Sequence, residues 1–533
     1  MNLSRLLEAV TPLKMTGANG DRLEIGSIHY RAQEVQPGGL FVAIRGLAAD
    51  GHDFINAALS RGALAIVTQK PVNYKEAVII KVENTRKALA AISDRFYASP
   101  SEKLTMVAIT GTNGKTTTAF LIERILQCAG TAVGVIGTLN FRYGGKTFSN
   151  PMTTPESTDL QRILADMLAN GITHVAMEVS SHAIDLHRID HCRFDVAVFT
   201  NLTRDHLDYH GDMESYWRCK KRLFTDILGS GPQKHRVAAV INHNNEKGRE
   251  LLSLLSERPD QSTILSAGEA DGSSIRCQQI EYGLTGMSGR ISTPKGSFEL
   301  KSSLVGRHNL ENILCATGVG IALDLSLADI KTGLEAVSSV PGRLERIPND
   351  SERFVYVDYA HTPDALKNVL SALKRMATGR MICVFGCGGN RDRDKRPQMG
   401  AISGRLCDLS VVTTDNPRTE PPLEIIGQIL QGTRKTVAHE YSGQDLATGF
   451  HQKGYVIEPD RKHAIRLALL ASRPGDTVLI AGKGNETYQI IGADTFPFDD
   501  REQVREALSA LALISDNKRQ IDVKNNTLSM NYT

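Results

Sequence analysis

Along most of the chain, short apolar runs ending on Gly, Asn or Asp alternate with stretches whose apolar residues recur with helical periodicity. The runs read as strands buried on both faces and the periodic stretches as amphipathic helices, so the alternation predicts βα units on mostly parallel sheets. The expected fold class is α/β, with a central mononucleotide-binding, P-loop-like parallel sheet and a C-terminal Rossmann-like domain. "GGLFVAI" and "ALAIVTQ" are the predicted strands of a first unit that closes at the polar connector "YASPSEK". "LTMVAIT" opens a second unit, and Pro341-Gly342 in "SVPGRLERI" interrupts the helical pattern where a third begins. Three domains are expected, at residues 1–98, 99–340 and 341–515, followed by a polar, aperiodic tail, 516–533, expected to be flexible.

Composition narrows the partners. A chain of 533 residues is too long for one core, and its formal net charge of +3 gives no field strong enough to demand nucleic acid. The eight cysteines are scattered, so neither a disulfide framework nor repeated metal-ligand pairs are expected, and Cys383 and Cys387 read as small buried residues. Arg5 and Glu8 interrupt the first apolar stretch, and no later run reaches about 18 apolar residues, so neither an export signal nor a membrane span is expected. A cytoplasmic location follows as an expectation.

"VAITGTNGKTTTAFLIERIL" passes from a strand through Gly111, Thr112, Asn113 and Gly114 into a helix that starts with Lys115, Thr116 and Thr117. Glycines let backbone N–H groups wrap phosphates, Lys115 meets the terminal phosphates of ATP, and Thr116 offers a hydroxyl to Mg²⁺. Ile109 stands where the strict eight-residue pattern has glycine, so the match is partial. Phosphoryl transfer needs a metal beside those oxygens, and "AMEVSSHAIDLHR" and "FTNLTRDHLDYHG" each end a strand with acid and histidine. Glu178 and His206 are the candidates.

Three late loops also follow strands: "MICVFG" into "CGGNRD", "LSVVTT" into "DNPR", and "TVLIAG" into "KGNE". Ligands gather at such carboxyl ends, and Arg391, Arg418, Asp415, Asn416 and Glu486 together suit a zwitterion. A turn in which Asp415 and Arg418 merely pair is the competing reading. "GCGGNR" has Arg391 where a dinucleotide fingerprint has its third glycine, which argues against NAD.

"GTNGKTTT", "TTPEST", "MEVSSHA", "TNLTRDHLDYHG", "GRHNLEN", "DYAHTPDAL", "FGCGGNRDRDKRPQMG", "DNPR" and "GKGNETYQ" occur in the order seen in the Mur ligases of peptidoglycan synthesis. The chain resembles that family from about residue 25 to 510, and "DNPR" has the form carried by the members that add diaminopimelate. The resemblance implies an ADP-forming amide ligase acting on UDP-N-acetylmuramoyl-L-alanyl-D-glutamate, meso-diaminopimelate and ATP. It implies ATP contacts at Asn309, Arg343 and Asp358, and nucleotide-sugar peptide contacts at Thr153, Thr154, Ser180 and Arg188. It adds Pro417 and Gly482 to the amino-acid contacts. It places a carbamylated lysine, CO₂-derived and a metal ligand, at Lys220 rather than Lys221. A monomer is expected.

Three departures from the family pattern stand out. Leu186 replaces a common glutamine, Asn485 replaces the histidine of "GKGHE", and His29-Tyr30-Arg31 replaces Asp-Ser-Arg, with the Tyr30 phenol a candidate substitute for the serine contact. The rival readings are a lysine-adding muramyl ligase, a folylpolyglutamate synthase-like ligase, and a non-catalytic module switched by ATP.

Overall fold

The computed structural model describes residues 1–17, 23–46, 49–230, 237–257, 263–446 and 449–513. The predicted tail, 516–533, lies outside them. The chain divides into two units: one takes residues 1–278, 290–299 and 311–336, the other residues 279–289, 300–310 and 337 onward.

The first unit holds two sheets. One has the order Lys14–Thr16, Val78–Lys81, Ala65–Thr68, Gly39–Val42, Ser27–His29, parallel except for the first strand. Leu40, Phe41 and Val42 are all buried, which explains why "GGLFVAI" shows no alternation. In the other sheet the parallel strands run in the order Thr263–Gly268, Ala238–Asn242, Val196–Phe199, Thr105–Thr110, His174–Glu178, Val133–Ile136. Thr105–Thr110 is central: its end is in register with both neighbours, Ile109 opposite Glu178 and Thr110 opposite Phe199. The loops after these three strands therefore leave from one edge.

The second unit is built on a seven-stranded sheet in the order Glu345–Ile347, Phe354–Asp358, Thr477–Ala481, Met381–Phe385, Leu409–Val412, Gly454–Ile457, His439–Tyr441. All pairs are parallel except the first. Apolar side chains cover both faces, Leu366, Leu370, Met399 and Ile429 on one and Ala464, Ile465, Leu469 and Val504 on the other. The predicted strands "MICVFG", "LSVVTT" and "TVLIAG" are adjacent here, and their trailing loops share a carboxyl edge.

Candidate active site

The phosphate loop is shaped by two glycines that no other residue replaces without a clash. Gly111 has φ +150° and a Cβ there would sit 1.9 Å from Thr200 Oγ1; Gly114 has φ +86° and a Cβ would meet Asn312 Oδ1 at 2.3 Å. Gly114 caps the helix Lys115–Cys128 without any side-chain bond, so no cap competes for the first N–H groups. The loop is held from below by residues the sequence reading passed over. Thr200 Oγ1 donates to Asn113 O at 2.7 Å, and Asn201 takes N–H bonds from Thr112 and Asn113 at 2.9 Å. Lys115 Nζ donates to Gly111 O and Thr112 O, at 2.7 and 2.9 Å, within reach of the space the loop encloses.

Lys220 meets the same loop from another side, donating to Gly111 O at 3.0 Å. Its helix, Met213–Arg222, is started by Asp212, which accepts from Ser215 N, and buries Tyr216, Trp217, Cys219 and Lys220 on one face. Lys220 is 1% exposed and lies over the ring of Tyr216, four residues before it, whereas Lys221 is only half-buried. Burial, and then the Lys115 charge, hold the Lys220 ammonium well below its ordinary pKa.

Glu178 ends its strand buried, accepting from Thr138 N at 3.0 Å and Thr138 Oγ1 at 2.9 Å. His206 stands at φ +53° at the start of the turn Leu207–His210, 3.5 Å from Asp205. Burial lowers its pKa, the Asp205 carboxylate opposes that, and Lys115 and Lys220 lower it further. Two histidines outside the predicted set crowd it: His182, 5.0 Å away ring to ring, and His210, itself 5.6 Å from His182. Burial, and then His206 and His210, push His182 down to about 4. Thr116 is buried at the helix start. Among the described residues no three His, Cys, Asp or Glu side chains form a ready metal cluster.

Of the four residues expected to hold the nucleotide-sugar peptide, Thr153, Thr154 and Ser180 gather beside Thr138 and Glu178, and Arg188 alone pairs with Glu156. Thr154 Oγ1 donates to Glu178 O at 2.9 Å and accepts from Ser180 N, Thr153 Oγ1 lies 3.1 Å from Thr138 Oγ1, and Ser180 caps the short helix Ser181–Asp185. Arg188 donates to Thr154 O and lies 3.3 Å from Glu156, which also takes a 2.9 Å bond from Arg86. Leu186 is the C-cap of that short helix. Tyr30 donates to Asp159 at 2.7 Å, His29 bonds Ser27, and Arg31 pairs with Glu34. The Tyr30 phenol thus donates within the protein and keeps its acceptor lone pairs, and burial followed by the Asp159 bond raises its pKa.

In the second unit Asn309 is buried and bonds Val305 O at 2.9 Å. Arg343 lies over the Tyr359 ring at 4.4 Å. Asp358 turns inward: its oxygens accept from Leu344 N at 2.6 Å and Ala360 N at 2.7 Å, fixing Leu344 at φ +45° beside Arg343. Burial raises its pKa, against the Arg343 charge.

The three late loops do come together. Arg418 Nη1 donates to Gly389 O at 2.9 Å, Arg418 N to Ile490 O at 3.1 Å, and Gly492 N to Arg418 O at 2.7 Å, holding Arg418 at φ +52°. The pair of the competing reading, Asp415 with Arg418, is absent; Asp415 instead faces Lys483 at 3.5 Å. Gly389 has no room for a Cβ, which would fall 1.8 Å from Pro417 O. Asn416 accepts from Lys483 Nζ and Ile490 N and donates to Glu486. Gly482, at φ +121°, lets the chain turn beside Asp415. Arg461, 0% exposed at its side chain, ties the ends together with bonds to Asp500, Thr414 O and Ala481 O. Arg391 is exposed and has no ion pair among the described residues. On the Tyr488 phenol, burial and then the Glu486 charge act upward, and the Arg418 charge acts downward.

This arrangement is similar to that of known proteins along nearly the whole chain. Three family descriptions match: "Mur ligase family, catalytic domain" at residues 24–97, "Mur ligase middle domain" at 109–320 and "Mur ligase, glutamate ligase domain" at 342–484. The UDP-N-acetylmuramoyl-L-alanyl-D-glutamate--2,6-diaminopimelate ligase of Geobacter metallireducens is 48% identical over 513 residues, covering 96% of this chain and 99% of the relative. That of Geobacter sulfurreducens is 46% identical, covering 94% and 98%. A solved UDP-N-acetylmuramoyl-L-alanyl-D-glutamate--2,6-diaminopimelate ligase superposes with a TM-score of 0.68 at 30% identity, covering 95% of this chain and 99% of that one.

Proposed function

The chain belongs to the Mur ligase family, and on that premise we propose that it joins meso-diaminopimelate to UDP-N-acetylmuramoyl-L-alanyl-D-glutamate with conversion of ATP to ADP, in cytoplasmic peptidoglycan precursor synthesis. The observation that carries the choice of amino acid is that hydrogen bonds bring Arg418 and Glu486 together from separate loops: Asn416, two residues before Arg418, donates to Glu486 at 2.8 Å, and Arg418 N–H bonds Ile490 O at 3.1 Å. Meso-diaminopimelate keeps a carboxylate and an ammonium at its far end, and these complement Arg418 and Glu486. L-Lysine has no far carboxylate and leaves Arg418 unmatched; sites built around such a bond discriminate by about 10⁴ to 10⁵.

The chemistry follows from what each group can do. A carboxylate does not condense with an amine in water until it is activated, so the D-glutamyl γ-carboxylate attacks the γ-phosphorus of ATP, the bridging P–O bond to the β-phosphate breaks, and ADP leaves an acyl phosphate behind. The diaminopimelate amine then displaces phosphate from the acyl phosphate through a tetrahedral intermediate. The amides from Gly111 to Thr117 and the Lys115 ammonium stabilise charge on the transferring phosphate. Thr153, Thr154, Ser180 and Arg188 hold the peptide and pyrophosphate, Arg188 oriented by Glu156. Asn309, Arg343 and Asp358 serve ATP, Asp358 also fixing the backbone beside Arg343. Arg391, Asp415, Asn416, Pro417, Arg418, Gly482 and Glu486 form the amino-acid site.

The donor set fits a magnesium ion once Lys220 is modified. A buried lysine with a depressed pKa has the neutral amine that attacks CO₂, and the carbamate is an oxygen ligand where the ammonium would repel the ion. Thr116, Glu178, His206 and carbamylated Lys220 would hold Mg²⁺, which supplies charge neutralisation of the phosphates when bound.

The test is incubation of the purified chain with ATP, Mg²⁺ and UDP-N-acetylmuramoyl-L-alanyl-D-glutamate, offering meso-diaminopimelate or L-lysine, with mass spectrometry of the nucleotide product. The expected product is the diaminopimelate tripeptide; preferential lysine incorporation overturns the reading.

A further inference from the structure

Lys483 is 0% exposed, and no motif reading gave it a role. Its ammonium is held by Asn416 Oδ1 at 2.9 Å, Glu486 Oε2 at 3.2 Å and Asp415 Oδ1 at 3.5 Å, with the Tyr488 ring 5.7 Å away. Asp415 is buried as well, and burial alone would raise its pKa. Lys483 leads the opposing charges, with Arg461, His361 and Lys395 behind it, and together they keep Asp415 below the usual carboxylate range. Arg461 is matched by its own acid, Asp500, through two 2.7 Å bonds. Lys395 is turned to the His361 carbonyl at 2.8 Å. The hydrogen-bonded cluster thus contains two acids, Asp415 and Glu486, against one lysine. Lys483 also fixes the amide of Asn416: an ammonium beside it demands the oxygen, which turns the nitrogen to Glu486.

We propose that Lys483 is a specificity-setting residue: by neutralising one of two acids it leaves the cluster a single negative charge beside Arg418, which suits an amino acid whose far end carries both ammonium and carboxylate. The inference rests on the amino-acid site proposed above and deepens it. Without Lys483 the cluster would hold two uncompensated acids and would favour a net cation, such as L-lysine, over the net-neutral far end of meso-diaminopimelate.

The experiment compares kcat/KM for meso-diaminopimelate and for L-lysine in the wild type, K483M, K483R and the charge-balanced double variant K483M/D415N. In K483M the diaminopimelate-to-lysine ratio is expected to fall at least about tenfold, the scale of one unit charge a few ångströms away at an intermediate dielectric. KM for ATP is expected to be unchanged. K483R and the double variant are expected to recover most of the ratio, because both restore the charge balance; a packing role would not be rescued by the double variant. An equal loss for both amino acids in K483M, or a double variant no more selective than K483M, overturns the proposal. Should K483M fail to fold, D415N alone must move the ratio the opposite way, and an unmoved ratio overturns the proposal equally. A wild type that does not use diaminopimelate at all defeats the functional reading itself, a result separable from any change in the ratio.

Discussion

The phosphate-loop region of the first unit and the amino-acid region of the second treat buried charge in opposite ways. Lys220 is buried against a carbonyl and an aromatic face, and among the described residues no carboxylate pairs with it. His182, His206 and His210 around it all have lowered pKa values, each chiefly through burial. Among the described residues of the second unit each fully buried cation has its acid: Arg461 with Asp500, Lys483 with Asp415 and Glu486, Arg396 with Glu420. An unmatched buried cation is unstable as such and favours either loss of its proton or the arrival of an anion. The first region is therefore suited to receive phosphates and a carbamate, while the second has its framework in place before substrate arrives.

The largest effect expected from breaking that contrast is in the second unit. Arg461→Met strands Asp500 in a fully buried site and removes the anchors on Thr414 O and Ala481 O. Removing one partner of such a pair typically costs about 3–5 kcal/mol. Urea unfolding followed at equilibrium checks it, and R461M/D500L is expected to regain most of the loss because both charges then leave together. A single variant as stable as the wild type would mean that the pair is not structural.

The mirror experiment in the first unit is expected to trade the other way. Lys220→Ala should lower the rate of ADP formation by roughly 10²-fold or more, the scale seen when one preorganised charge-stabilising group is removed, and should not lower the unfolding midpoint. A ¹³C carbamate resonance after equilibration with ¹³CO₂ is expected in the wild type and absent in the variant. A K220A protein that turns over normally would remove Lys220 from the site.

The same contrast decides what the sequence could reveal. The phosphate loop was legible because its whole requirement is local: glycine at Gly111 and Gly114 and the Lys115-Thr116 pair all lie within one turn. Glu178 and the three late loops were legible because parallel βα units deliver strand ends to one edge. Lys483, Arg461 and Glu156 were not, because a charged residue declares its role only through its partner. Arg461 finds Asp500 39 residues on, and Arg86 reaches Glu156 across 70. Tyr30 is the instructive case: its place in the pattern suggested a ligand contact, but nothing local showed that its hydroxyl also donates to Asp159, 129 residues away. Asp358 matched a motif for ATP contact, and what the motif could not tell is that its carboxylate also accepts from two backbone N–H groups.

The smallest effect, and the one that sharpens the comparison most, is a pH dependence confined to the histidine group. His182 has a folded pKa of about 4 against an ordinary 6.5, with burial the first cause and His206 and His210 next. A folded pKa below the unfolded one means that the unfolded chain takes the proton first. The stability is therefore complete above about pH 6.5 and is lost as the pH falls toward 4. For a ring that remains partly solvated, screening reduces the effect to about 1–2 kcal/mol. His182→Gln is expected to flatten the fall in unfolding free energy between pH 7 and pH 4.5 by about that amount, leaving the shares of His206 and His210. Asp415 marks the contrast: its pKa is already below the ordinary 3.8, so its contribution stays intact through this window and declines only at lower pH. Urea unfolding of wild type, H182Q and D415N at several pH values separates the two regions. Identical slopes for wild type and H182Q would show that the histidine group does not hold its neutral charge state against solvent, and the opposition between the two regions would then rest on Lys220 alone.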